Sequence, residues 1–135
     1  MSQTPYYIVF PVKYRRALLV PEVEAEIVRI AVGIGERYEI VFEKIGCDMN
    51  HIHLLCSFHP KYSIGEVVRE FKSIVARELF AGCAWLKREL WGGEFWSDGY
   101  YVKTVGEGGN WAVVEQYVRN QGKALQGEPL RLFNR

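Results

Sequence analysis

Three observations in this 135-residue chain predict an α+β fold, a single antiparallel sheet with helices packed on one face. Several short segments are β-branched and aromatic or alternate with period two, as strands do. Two longer segments repeat their apolar residues at helical spacing. The order of these segments is β-α-β-β-α-β-α, with so short a connection between the second and third strands that they form a hairpin.

Tyr6 to Val12 is β-branched and aromatic and makes the first strand, followed by the basic turn Lys13-Tyr14-Arg15-Arg16. Pro21 suits a first helical position, and Val23, Ile27, Ile30, Ala31 and Ile34 carry a stripe through about Glu36. Tyr38 to Ile45 alternates and is punctuated by Gly46, which predicts the second strand; His51 to Phe58 is the third. Ser63-Ile64-Gly65-Glu66 is a capping box, and the stripe behind it predicts a helix over 63–80. Ala81 to Gly93 reads as irregular with one helical turn. Phe95-Trp96 and then Tyr100 to Val105 read as strand, joined by a turn at Ser97-Asp98-Gly99. Between Asn110 and Gly122 lies a short helix, and the last dozen residues form a tail. The pattern is the split β-α-β of ferredoxin-like and RRM-like domains. It implies one domain over 1–135, the C-terminal helix and tail occupying about 109–135. In this topology the first and third strands are central, and the face away from the helices is open.

Composition is that of a globular protein. No apolar run reaches the length of a membrane span and the N-terminus carries no export signal, so the expected location is cytoplasmic. Cys47, Cys56 and Cys83 are odd in number and without C-x-x-C spacing, and read as buried thiols in a reducing compartment. A net charge of +1 argues against a general polyanion binder. It leaves room for one positive face, because acids gather in the first third while bases recur at 13–16, 69–77 and 103–123.

The candidate chemistry begins at His51-Ile52-His53. On a strand, residues 51 and 53 share a face about 7 Å apart. Two imidazoles so placed can grip one metal ion, although the same spacing serves one exposed and one internally bonded histidine equally well. Tyr117 and Gln121 are four apart on the predicted last helix, hence on one side of it. Gln121 offers a hard carbonyl oxygen suited to Mg²⁺ or Mn²⁺, and Tyr117 a phenolic oxygen that could attack phosphorus. The simpler use of that pair is a packed tyrosine and a solvated glutamine.

Taken in order, these features resemble one family. His-hydrophobic-His on a central strand, followed some sixty residues later by a helical Tyr with Gln one turn on, is the pattern of the single-tyrosine HUH transposases. These are the enzymes of the smallest bacterial and archaeal insertion sequences. The resemblance spans nearly the whole chain, through Val12-Lys13-Tyr14-Arg15, Asn50-His51-Ile52-His53-Leu54-Leu55, Phe71-Lys72, the Leu90 to Tyr100 stretch, Thr104-Val105-Gly106 and Tyr117-Val118-Arg119-Asn120-Gln121. Many relatives carry Asp where this chain has Asn50. The resemblance implies a divalent ion, Mg²⁺ or Mn²⁺, on His51, His53 and Gln121. It also implies Tyr117 as nucleophile forming a 5′-phosphotyrosine link, and single-stranded DNA with hairpins at the element ends as substrate. A homodimer that shares its active sites is implied too, with which the hinge-like Gly106-Glu107-Gly108-Gly109 is compatible. Lys13, Arg15, Lys72, Lys103, Arg119 and Lys123 become candidate DNA contacts, as does Arg16.

Three other readings remain open. A replication initiator or relaxase uses the same pair but usually a third histidine, and His59 lies beyond the apolar run. A non-enzymatic module could bind single-stranded nucleic acid by stacking alone. A nucleotide hydrolase would need a third alternating histidine where Leu55 stands.

Overall fold

A computed structural model describes residues 5–91 and 93–105. The candidate residues Tyr117, Arg119, Gln121 and Lys123, the predicted last helix and the Gly106–Gly109 run lie outside the described residues. The strands are β1 (Tyr6–Pro11), β2 (Val41–Asp48), β3 (His51–Ser57) and β4 (Tyr101–Thr104). The helices are α1 (Pro21–Tyr38), α2 (Ile64–Gly82) and α3 (Ala84–Glu89), with a 3₁₀ turn at Lys13–Arg15. The sheet is antiparallel in the order β2-β3-β1-β4, so β1 and β3 are its central neighbours, as the sequence pattern predicts.

One face of this sheet holds Ile8, Phe10, Ile52, Leu54 and Cys56, and these residues form a single core with the stripes of α1 and α2. The alternation that sends Ile8 and Phe10 inward sends Tyr7 and Val9 to the opposite face. On α2 the capping box forms as predicted: the Glu66 amide donates to Ser63 Oγ at 3.1 Å and the Ser63 amide to Glu66 Oε1 at 2.8 Å.

Three expectations shift. The second strand begins at Val41 rather than Tyr38, because α1 runs on to Tyr38 and closes with Glu39 in the left-handed region at φ 57°. It also runs through Gly46 to Asp48, since a glycine ends a strand only where pairing stops, and Gly46 is paired with His53. Phe95-Trp96 is not a strand. Trp96 makes one isolated bridge to Val12, and both rings are spent on packing, Phe95 against Phe80 and Trp96 against Phe10. The irregular stretch after α2 contains α3, held by buried Leu86. No helix among the described residues is long and apolar enough to cross a membrane.

Candidate functional site

The site is built by the β2–β3 hairpin, whose strands are joined by the two residues Met49 and Asn50. The loop is pinned to the body of the protein, as Val12 donates its amide to the Asn50 carbonyl at 2.9 Å and Leu19 to that of Met49 at 2.8 Å. Ile52 enters the core, so His51 and His53 point together to the other face, their ring centroids 6.5 Å apart. That face is not open here. Tyr7, Val9, His51 and Leu55 are all buried, while His53 is half-buried.

His51 has an oxygen at each ring nitrogen. Asn50 Oδ1 lies 2.9 Å from Nδ1, so the neutral amide supplies an orienting contact for the ring. Asp48 Oδ2 lies 3.1 Å from Nε2, brought there by the tight hairpin, which sets Asp48 directly across from His51. Burial holds the His51 imidazole below its usual pKa, and the Asp48 carboxylate opposes that shift. If Nδ1 carries the proton that Asn50 accepts, Nε2 turns a lone pair toward a carboxylate. That contact is favourable only with a cation, either a second proton or a metal ion, beside it. With Nε2 carrying the proton instead, the ring donates to Asp48 without any cation; in either tautomer, imidazole and carboxylate are donors that suit a divalent ion, and the set is incomplete on its own. Among the described residues no group of three or more His, Cys, Asp or Glu side chains is assembled to hold a metal.

Asp48 was missed in the sequence. Its signal is the spacing Asp48-Met49-Asn50-His51, which becomes a cross-strand pair once the hairpin loop is two residues long.

The register adds more groups to the histidine side. Val9 pairs with His53 on one side and with Tyr101 on the other, and Tyr7 pairs with Leu55 and with Lys103. Directly opposed residues share a face, so Tyr101 and exposed Lys103 look the same way as the histidines.

The other predicted cations are scattered. Lys13 Nζ is 3.5 Å from Glu94 Oε1 and 5.6 Å from the Tyr14 ring centroid. Arg16 pairs with Glu89, and Arg15 is half-buried at a left-handed φ of 53°. Lys72 lies on the helix side of the sheet. Its ammonium donates to the carbonyls of Ser97 at 2.8 Å and Gly99 at 2.7 Å, 5.1 Å from the centre of the Phe10 ring. Burial lowers its pKa. Two aromatic residues, Tyr14 and Trp91, are well exposed.

Residues 1–121 match the sequence profile described as "Transposase IS200 like". The chain belongs to the IS200-like transposase family. It is 32% identical over 119 residues to the ISDra2 transposase TnpA of Deinococcus radiodurans, covering 88% of this chain and 84% of that one. It is also 32% identical over 116 residues to the transposase for insertion sequence element IS200 of Salmonella typhimurium, covering 86% and 75%. A 1.90 Å crystal structure of a Deinococcus radiodurans protein assigned as a transposase superposes with a TM-score of 0.72 at 30% identity, covering 90% of this chain and 92% of that one. The REP-associated tyrosine transposase bound to a REP hairpin shares the fold, with a TM-score of 0.60 at 7% identity over 94% and 70% of the two chains. The resemblance to single-tyrosine HUH transposases drawn from the ordered motifs is thus borne out.

Proposed function

We propose that this IS200-like transposase cleaves and rejoins single-stranded DNA at insertion-sequence ends, with Tyr117 as nucleophile. The observation that carries the reading is the pair His51 and His53, side by side on a central strand of a chain in this family. A divalent ion, Mg²⁺ or Mn²⁺, held by His51, His53 and Gln121 would polarise the scissile phosphate. The Tyr117 oxygen attacks phosphorus and the bond from phosphorus to the 3′ oxygen breaks. The 3′ oxygen leaves with a proton as a hydroxyl, and the 5′ end stays on Tyr117 as a phosphodiester. A 3′-hydroxyl attacking such a link reseals DNA and returns the phenol. An aryloxide leaves more readily than an alkoxide, which favours this reversal. Asn50 at Nδ1 and Asp48 at Nε2 fix the orientation of the His51 ring.

The DNA is read as hairpin-bearing single strand, in line with the hairpin bound by the REP-associated structural relative. Lys13, Arg15, Lys103, Arg119 and Lys123 are proposed phosphate contacts, and residues 1–135 act as one unit in a homodimer with shared active sites. The test is a labelled hairpin strand incubated with Mn²⁺. Tyr117→Phe should abolish the covalent adduct and leave hairpin binding intact, while Tyr101→Phe should keep the adduct. An adduct that survives Tyr117→Phe and disappears with Tyr101→Phe moves the nucleophile to β4. A second reading, binding by stacking alone, draws on exposed Tyr14 and Trp91. Hairpin binding unaffected by chelator, with no cleavage under Mn²⁺, would favour it.

A further inference from the structure

We infer that Gly46 is a positioning residue for the histidine pair. The inference rests on the metal-assisted reading above. Gly46 stands directly across from His53 in the β2–β3 register, and the His53 ring lies over its backbone. A Cβ at position 46 would be 2.4 Å from His53 Cε1 and 2.7 Å from Nε2, distances that real Cβ atoms do not adopt. The glycine is not needed for its backbone freedom. Among the described glycines only Gly99 has a positive φ, and strand residues accept any side chain at ordinary φ. The missing side chain is therefore a matter of space. The nearest obstruction is the imidazole, and no backbone atom is among the three nearest contacts of that Cβ.

The consequence concerns a ligand geometry. His51 is held at both ring nitrogens by Asn50 and Asp48. His53 has its place over β2 because nothing projects from Gly46. Alanine at 46 leaves the strand paired and pushes the His53 ring off β2, which changes its distance and angle to His51. A metal site tolerates only small departures of its ligands from the productive geometry, so the effect on ion binding should far exceed the effect on the fold.

The test compares the parent, Gly46→Ala, His53→Ala and the double variant, each as the full chain. In metal-free protein, Gly46→Ala should shift the His53 imidazole resonances while those of His59 stay in place. With Mn²⁺ alone as the probe, followed by electron paramagnetic resonance, Gly46→Ala should weaken binding about 10-fold or more. In the His53→Ala background the same change should lower neither residual binding nor thermal stability, since alanine suits a strand better than glycine. Should Gly46→Ala fold poorly, adding His53→Ala should restore stability to the level of His53→Ala itself. Unmoved His53 resonances, an Mn²⁺ affinity within about twofold of the parent, or a double variant less stable than His53→Ala would each overturn the inference. A parent that binds no Mn²⁺ overturns the metal reading as well, so the two failures are told apart.

Discussion

Replacing Lys72 by Met tests whether this lysine holds the fold together or touches DNA. The ammonium donates to the Ser97 and Gly99 carbonyls and sits over the Phe10 ring, tying α2 to the segment that leads into β4. Each charge-assisted bond nets about 1.5–3 kcal/mol, but the two do not simply add. The Gly99 contact is exposed, so that carbonyl regains water in the variant. The ammonium itself gave up hydration on burial, the same cause that lowers its pKa. What remains is the part-buried Ser97 carbonyl without its donor and a cation–π contact of about 1 kcal/mol. The expected loss is about 2–3 kcal/mol, or roughly 6–12 °C in Tm for a chain of this size. Urea and thermal denaturation followed by circular dichroism measure it. A variant within about 0.5 kcal/mol of the parent would refute the staple. If stability holds while the salt dependence of hairpin binding drops by about one charge, Lys72 is a phosphate contact instead.

Two other predictions concern the core and the site. Phe10 is fully buried and packs edge-on against Phe71 at 5.9 Å and Trp96 at 4.9 Å, so Phe10→Ala should cost about 3–5 kcal/mol by urea denaturation. A cost under about 1 kcal/mol would mean the core closes over the gap. Burial depresses the His51 pKa, so its neutral ring adds stability that is fully present above about pH 6.5 and is lost as pH falls through the lowered value. In chelator, the stability of the parent should therefore decline more steeply than that of His51→Asn as pH is lowered from about 7 towards 5. Parallel curves would show that His51 carries no such linkage.

Much of the fold is legible in the residues one at a time. Val67, Val68, Phe71, Ile74, Val75 and Leu79 recur at helical spacing, and the capping box marks where α2 begins. Boundaries were less legible. Tyr38 has strand-like chemistry, yet the helix extends to it because Glu39 takes up the left-handed cap and returns its amide to Gly35. Phe95 and Trp96 have strand composition but are used as core aromatics, and composition alone cannot separate the two uses.

At the site the same division holds. Period-two alternation is a local property of a strand, so the common face of His51 and His53 follows from the sequence alone, as do the α+β class and the family implied by the ordered motifs. Only the tertiary structure decided that Asp48 meets His51, that Gly46 leaves room for His53 and that the Lys72 ammonium is turned toward backbone carbonyls. Those contacts depend on strand register and on helix-to-loop packing between segments up to 27 residues apart. They are settled when the core closes, because no local propensity specifies which distant atom a side chain will face.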